Sequence, residues 1–315
     1  MMILVVLGHI YDPNGPEWAN TFRKVIYSFH MPFFMYLSGY IFIYTGNQLT
    51  REGYTGYFLK RANRLLVPFF ALAIVIIGGK FVASYFVSVN KPVNDLFSSL
   101  YHVLFSTEKS PVLTIWYLFV LFVFSVITPV VLRVVSFSAA MAIAVGMHLI
   151  FLIAIYDERM PSDFYVDRIF MFYVFFMAGC LAAHHMTVWE DVVQRWWGIA
   201  FAVFVVTVFI TIDHEYRYIL AGMASIPALH GLVRWTILDD SKFLLWLGDN
   251  AFTIYLFNTI FIGVVRGLVA LAVVPSQHMV LLYALSLPAG LLGPILLRYL
   301  MVRLPVGRRV VPWIA

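Results

Sequence analysis

Long apolar stretches follow one another along almost the whole of this chain, and they limit its possible folds more than any other feature. A transmembrane helix needs about 20 mostly apolar residues to cross a hydrocarbon core of about 30 Å. Nine stretches approach or exceed this length, at 22–44, 65–89, 113–135, 139–156, 169–183, 197–212, 218–237, 251–273 and 279–300. They predict an all-α fold, a polytopic membrane helix bundle.

The composition points to the same class. Apolar residues make up 62% of the 315 positions and charged residues only 12%, whereas a soluble domain is roughly half apolar and a quarter charged. We find no internal repeat, and no soluble stretch is long enough for a second domain. The sequence therefore predicts a single transmembrane domain, 1–315. Segment 46–60 is predicted to be a polar loop, and only 90–111 has room for an interfacial helix.

The first apolar segment is short. Residues 1–10 would span about 15 Å as a helix, half of the hydrocarbon core. The segment lacks a basic start and a small-residue cleavage site, so it does not resemble a signal peptide. We therefore expect a first helix that is truncated, about ten transmembrane helices in all, and an in-frame upstream extension of about ten to twenty codons.

The distribution of Lys and Arg predicts the orientation. When loops are placed alternately on the two sides, basic residues concentrate on the side that holds 46–64 and both termini. Because cytoplasmic loops are enriched in Lys and Arg, both termini are predicted to be cytoplasmic and the loop 11–17 to lie outside. The net charge of +5 comes with no nucleic-acid-binding signature, and the single Cys180 excludes an internal disulfide.

Two histidines lie in the first two apolar segments. His9 ends the first, and His30 lies about 10 Å along the second if that helix enters the membrane near Arg23. An ionisable side chain at membrane depth is a candidate functional residue, and imidazole titrates near neutral pH. The pair predicts proton-transfer chemistry at one outward-facing site. The alternative is that His30 only hydrogen-bonds a neighbouring helix.

The residues around His30 support a built site. Pro32 removes a backbone donor, so it is expected to free a carbonyl one turn earlier and to kink the helix. Tyr27 and Ser38 fall on the face of His30 at helical spacing, and Gly39 beside them would allow a close helix approach. We predict Tyr27 and Ser38 as substrate-site candidates.

A basic cluster, KRANR at 60–64, precedes the next apolar stretch. Arg61 and Arg64 share a helical face, and guanidinium groups bind phosphate oxygens through paired hydrogen bonds. These two residues are candidates for a phosphate-binding site. Anchoring at the cytoplasmic interface explains the cluster equally well.

Three further residues are substrate-site candidates with a simpler alternative. Trp116 and Tyr117 are typical of the aromatic belt at a membrane interface. Asn258 puts a polar atom into the bundle, where it can also hold helices together by hydrogen bonds. Asp249 is predicted to be the N-cap of the helix that contains Asn258. No His, Asp or Glu cluster has the spacing of metal ligands, so we predict no metal site.

Taken together and in order, these motifs resemble the acyltransferase 3 family of integral membrane O-acyltransferases. The phrase around His30 is most similar to the fucose-4-O-acetylase-like branch, and the resemblance covers nearly the whole chain. Its carriers are LVVLGH at 4–9, SFHMPFF at 28–34 with LSGY at 37–40, KRANRL at 60–65 with Pro68, WYL at 116–118, LGDN at 247–250 and IYL at 254–256.

The resemblance implies a function and assigns roles. In this family a bundle of about ten helices transfers an acyl group, usually acetyl from acetyl-CoA, to a hydroxyl of a cell-surface or exported carbohydrate. His9 matches the histidine of the family's Arg-x10-His motif, the preferred catalytic base, and His30 matches the second family histidine. Arg61 and Arg64 match the residues thought to serve the donor. The motif's arginine would lie upstream of Met1, and Asn258 stands where a histidine is frequent.

The hypothesis from the sequence is therefore a membrane O-acyltransferase. It would be a multi-pass protein of the cell (inner) membrane with acetyl-CoA or another acyl-CoA as donor, a carbohydrate as acceptor, membrane lipid around it and no metal. The oligomeric state, the acceptor sugar and the acyl chain stay open. The rival from another class is a transporter or flippase for a glycan or a lipid-linked sugar, although no repeat symmetry supports it.

Overall fold

A computed structural model of the chain describes residues 1–46, 49–85, 91–93, 95–112, 114–156, 160–211, 216–235 and 241–304. All regular secondary structure in these residues is helical, which confirms the predicted fold class. The α-helices are α1 (Met2–His9), α2 (Glu17–Tyr44), α3 (Leu49–Ala83), α4 (Leu96–Leu104), α5 (Trp116–Val134), α6 (Phe137–Tyr156), α7 (Val166–His184), α8 (Met186–Thr211), α9 (Arg217–Trp235), α10 (Lys242–Asp249), α11 (Ala251–Ala270) and α12 (Met279–Arg303).

Eight helices in the described residues are long and apolar enough to cross a membrane. They are α2, α3, α5, α6, α7, α8, α11 and α12, and each corresponds to a predicted span. The ninth predicted span is α9, which has 19 residues. The chain is therefore a multi-pass membrane protein. Helix α1 has eight residues, and the expected upstream extension stays a prediction.

Two connections differ from, or add to, the sequence prediction. The predicted polar loop 46–60 was wrong from Leu49 onward, where α3 already begins. A polar segment is kept out of lipid, but it can still form a helix. Tyr57, in the first part of α3, is buried, and its hydroxyl donates to the Ser125 carbonyl at 2.7 Å. Gly53 interrupts the helix with φ 68° and ψ 170°, a conformation that favours glycine. Helix α4 lies in the predicted 90–111 connection.

The predicted cap of α11 was also wrong. Asp249 ends the short helix α10, and Asn250 precedes the first residue of α11. The Asn250 amide donates to the Trp246 carbonyl at 2.9 Å and accepts from Arg298 at 2.9 Å. The side chain is therefore used between helices, where a sequence pattern for a cap cannot detect it.

The described chain divides into two compact units. Within the described residues, unit 1 comprises 1–34 and the part from 187 onward, and unit 2 comprises 35–186. The boundary falls within α2, between Phe34 and Met35. The single transmembrane domain expected from the sequence, 1–315, stays a prediction.

In unit 1, α1 packs against α11 and α12 through its apolar face. Val6 is fully buried. A Cβ atom at Gly290 of α12 would lie 2.7 Å from Cγ1 of Val6 and 3.3 Å from Cγ1 of Ile262 in α11. The absence of a side chain at Gly290 therefore lets α1 lie deep between the two helices. This packing sets the position of His9 at the end of α1.

In unit 2, the last part of α2 meets α7 at backbone contact. A Cβ atom at Gly39 would lie 1.9 Å from the Phe176 carbonyl oxygen, and one at Gly179 would lie 1.9 Å from the Tyr36 carbonyl oxygen. Neither position can hold a side chain without separating the helices. The predicted role of Gly39 in a close helix approach is confirmed.

Candidate active site

The two predicted histidines are linked by one tyrosine in unit 1. The Tyr27 hydroxyl lies 3.4 Å from Nδ1 of His9, a long hydrogen bond. The Tyr27 ring packs edge-on against the His30 ring, with 4.6 Å between centroids. His30 is buried and His9 half-buried. Tyr27, which sequence spacing had placed only on the face of His30, therefore contacts both imidazoles. One outward-facing site shared by the two histidines stays a prediction.

The tautomer of His30 follows from its backbone contact. Nδ1 of His30 lies 2.9 Å from the carbonyl oxygen of Ile26, one turn earlier on α2. Because a carbonyl can only accept, Nδ1 carries the proton, and Nε2 of the neutral ring carries the lone pair. The same contact fixes the ring orientation. His30 therefore presents an acceptor nitrogen from a rigid position.

Gly8 makes room for the tyrosine. A Cβ atom at Gly8 would lie 3.0 Å from Cε2 of Tyr27 and 3.3 Å from Cγ2 of Ile26, closer than nearly all real contacts of that kind. The Tyr27 ring therefore lies directly on the backbone of α1, one residue before His9. The Gly-His pair of the LVVLGH segment acts as one structural element, the glycine admitting the ring that contacts the histidine.

A salt bridge holds the loop between α1 and α2. Arg266 of α11 donates to Asp12 at 2.9 Å and to the Tyr11 carbonyl at 3.1 Å. Asp12 is buried and also accepts from the backbone N–H of Asn14 at 3.0 Å. Because this loop follows His9 directly, the ion pair restrains the end of α1 at which the histidine lies.

Arg23 lies on the same face of α2 as the tyrosine and the second histidine. Its guanidinium carbon is 4.5 Å from the centroid of the Tyr27 ring and 4.2 Å from that of Tyr11. Positions 23, 27 and 30 are separated by four and three residues, so their side chains share one helical face. The sequence had used Arg23 only to estimate depth, and its spacing of seven from His30 is the signal that could have found it.

The other substrate-site candidates of α2 and α5 meet each other within unit 2. The Ser38 hydroxyl lies 2.5 Å from the hydroxyl of buried Tyr117. Trp116 stacks on Phe172 with centroids 5.1 Å apart, and the Arg168 guanidinium lies 5.6 Å from its ring. Ser38 and Tyr117 are 79 positions apart in the sequence, so helical periodicity alone could not show that they meet.

Asn258 lies in unit 1, and its amide group is directed at its own helix. Nδ2 donates to the carbonyls of Ile254 at 2.8 Å and Tyr255 at 2.9 Å. Its Oδ1 atom is buried with no hydrogen-bond partner among the described residues. The residue therefore keeps one acceptor available, and its predicted substrate contact stays a prediction.

The two candidate phosphate-binding arginines differ in surroundings. Arg61 is half-buried, with its guanidinium 5.2 Å from the Tyr57 ring and 5.9 Å from the Phe42 ring. Arg64, one turn further along α3, is exposed. Both are in unit 2. The aromatic contacts orient Arg61, while Arg64 is accessible to a ligand.

Two other histidines were missed, of which His148 is buried and His230 half-buried. His148 of α6 has its Nδ1 2.7 Å from the Met171 carbonyl of α7, and His230 of α9 accepts from Trp189 of α8 at 3.2 Å. The ion pair of Arg234 and Glu190 joins the same two helices as the latter. Both histidines bridge adjacent helices, so packing explains them. The sequence offered no motif around either one.

The comparisons agree with the site motifs. The sequence model of the acyltransferase 3 family, described as an acyltransferase domain, matches residues 1–299. The chain belongs to this family. The resemblance inferred from the histidine and arginine motifs is thereby confirmed, whereas the fucose-4-O-acetylase-like branch stays a prediction.

Two curated relatives match a shorter part. Nodulation protein NolL of Mesorhizobium japonicum is 36% identical over 73 residues, and that of Sinorhizobium fredii is 38% identical over 73 residues. Each alignment covers 22% of this chain and 19% of the relative. The chain therefore aligns with about a fifth of the length of these relatives. No solved structure matches the chain.

Proposed function

We propose that this acyltransferase 3 family member transfers an acyl group, in the first instance acetyl, from acyl-CoA to a hydroxyl of a cell-surface or exported carbohydrate. The observation that carries the proposal is the linkage of His9 and His30 through Tyr27 at the junction of α1 and α2. Family membership supports the reaction class. The donor and the acceptor come from the resemblance.

His9 is the proposed general base. When its Nδ1 donates to the Tyr27 oxygen, Nε2 is free to take the proton of a sugar hydroxyl. General-base catalysis requires the accepting atom to lie within hydrogen-bond reach of that proton, and the contacts of Gly8 and Tyr27 hold the ring for this. His30, with its lone pair at Nε2, is proposed to orient the acceptor hydroxyl or to share the proton.

Arg61 and Arg64 are the proposed contacts for the phosphates of acyl-CoA. The spacing on α3 allows two guanidinium groups to face one anion, and phosphate oxygens favour paired guanidinium donors. We further propose that the protein lies in the cell (inner) membrane with both termini cytoplasmic, so that the donor comes from the cytoplasm and the acceptor from outside.

The reaction is tested by measuring free thiol released from acetyl-CoA by purified protein. The acceptor panel should include glycans with and without fucose, and the product should be checked by mass spectrometry for a gain of one acetyl group. Acceptor-dependent thiol release together with the acetylated product supports the proposal. Movement of a glycan or lipid-linked sugar across vesicles without thiol release would instead support the transporter function.

The donor site is tested with Arg64→Ala, because this exposed residue can be removed without disturbing packing. A lost charge-assisted hydrogen bond costs about 1.5 to 3 kcal/mol, or roughly tenfold or more in donor affinity. Arg195→Ala, at another exposed arginine, is the matched control and should bind acetyl-CoA as the wild type does. Unchanged affinity in Arg64→Ala and Arg61→Ala, with less protein in the membrane, would assign the cluster to anchoring.

The orientation is tested with reporter fusions. A reporter after residue 309 or directly after Gly46, before the start of α3, should indicate a cytoplasmic position, and one at Pro13 the outer side. The opposite pattern would place the histidine site at the cytoplasmic face and would remove the proposed route of the acceptor.

A further inference from the structure

We propose that Arg23 is a further catalytic residue, whose guanidinium binds the oxyanion that forms when the acceptor hydroxyl attacks the thioester. This inference rests on the proposed acyl transfer and names a residue to which neither the family match nor the resemblance assigns a role.

The position of Arg23 carries the first step. Tyr27 contacts Arg23 and both imidazoles. The guanidinium carbon of Arg23 lies 4.5 Å from the centroid of the Tyr27 ring, and the centroid of the His30 ring lies 4.6 Å from the same point. Nδ1 of His9 lies 3.4 Å from the Tyr27 hydroxyl oxygen. A group bound at this end of α1 and α2 would therefore meet the base and the guanidinium together.

The charge of Arg23 is the second feature that suits it to bind an oxyanion. No carboxylate among the described residues forms an ion pair with it, and Asp12, in the loop between α1 and α2, is paired with Arg266. Its Nε atom is buried without a hydrogen-bond partner among these residues. Tyr11 and Tyr27 contact the guanidinium through their ring faces, and Tyr27 also hydrogen-bonds to Arg23. A guanidinium has five N–H donors, so those that Tyr27 does not use can serve an anion. A guanidinium is always protonated near neutral pH, so this site keeps its positive charge.

The reaction creates an anion of the required kind. The acceptor oxygen forms a bond to the thioester carbon while its proton passes to His9, and the electrons of the C=O double bond move to the carbonyl oxygen. Arg23 donates hydrogen bonds to that oxyanion. When the C=O bond re-forms, the C–S bond breaks, and the leaving thiolate takes the proton from His9. Preorganised donors at a developing oxyanion are worth most where water is scarce.

Arg23→Gln and Arg23→Lys test the proposal, with Lys24→Gln at the exposed neighbouring position as the control. Each purified protein is assayed with acetyl-CoA and the acceptor glycan that gives the fastest thiol release. Loss of one oxyanion donor lowers kcat by about 10²- to 10³-fold. We expect a loss of this size in Arg23→Gln, a smaller one in Arg23→Lys, and wild-type turnover in Lys24→Gln. The KM values for both substrates should change little.

A chemical rescue separates catalysis from packing. Guanidinium ion at millimolar concentration should restore part of the turnover of Arg23→Ala and should leave His9→Gln inactive, whereas a packing defect would not respond. Wild-type kcat in Arg23→Gln, or a loss confined to KM, would overturn the role of Arg23 while the acyltransferase function stands. A wild-type protein without acceptor-dependent thiol release would overturn both.

Discussion

The first and last parts of helix α2 contact their neighbours in opposite ways. Within unit 1, residues 17–34 meet α1 through side chains, as in the long contact of Tyr27 with His9. Within unit 2, residues 35–44 meet α7 with backbone against side-chain-free backbone at Gly39 and Gly179. The contact with α1 leaves polar atoms available for a ligand. The contact with α7 leaves no space for a side-chain atom at Gly39 or Gly179. One helix therefore combines a region suited to chemistry with a backbone contact at Gly39 that tolerates no added side chain.

This contrast explains where tolerance to mutation should differ. Dense packing makes even one added methyl group costly, whereas a site that binds a substrate must leave space and unsatisfied hydrogen-bonding groups. Variants in the two parts of α2 should therefore affect different quantities, folded protein in one case and turnover in the other.

The largest effect is expected from Gly39→Ala. Its Cβ atom would lie 1.9 Å from a carbonyl oxygen, and a clash between backbones cannot be relieved by a rotamer change. The loss should exceed about 3 kcal/mol, beyond the usual range for overpacking, and folded protein should not accumulate. Gly146→Ala, where a Cβ atom meets nothing within 4 Å, is the control for size-exclusion yield and thermal unfolding in detergent.

His9→Gln is expected to have the next largest effect, on turnover. General-base catalysis contributes about 10²- to 10⁴-fold to a rate, and glutamine keeps most of the volume without a titratable nitrogen. Thermal unfolding should stay close to that of the wild type, as it should for His185→Gln at an exposed histidine of similar chemistry. Full thiol release by His9→Gln would show that the base is another residue.

Gly8→Ala should have a smaller effect on the same quantity. The added methyl group would lie 3.0 Å from the Tyr27 ring, which has to move by a few tenths of an ångström and shift its contact with His9. Small misplacements in an active site lower rates by up to about 10²-fold, so we expect a decrease of roughly tenfold. Gly263→Ala, in open space on α11, should retain activity, and equal activity in both variants would contradict the role of the Tyr27 contact.

The smallest effect is expected at the hydroxyl pair of unit 2. Ser38→Ala and Tyr117→Phe each remove a hydrogen bond worth about 0.5 to 1.5 kcal/mol. Because both variants remove the same bond, the double variant should lose little more than either single one in thermal unfolding. A raised KM for the acceptor in either variant would support the predicted substrate contact, and an unchanged KM would leave the pair as a packing contact.

Much of the fold was determined by the sequence alone, because lipid imposes a local requirement. A segment must be apolar over about 20 residues to cross the membrane, so α2, α5, α6 and α12 could be located from composition. Helices at the ends of such segments escaped prediction: the start of α3 is polar enough to be taken for a loop, and α10, with eight residues, is too short to be recognised as a membrane span. Their stability comes from contacts such as Tyr57 with Ser125.

The candidate site shows the same division between local and tertiary information. His9 and His30 could be chosen from the sequence because an ionisable group in an apolar segment needs a reason, and Tyr27 because it lies on the face of His30. Only the tertiary structure decided that Gly8 admits the Tyr27 ring beside His9, that Tyr11 lies against Arg23, and that Arg266 restrains the loop between α1 and α2 through Tyr11 and Asp12. These are contacts between residues up to 255 positions apart, and no local pattern encodes which helix face will meet which.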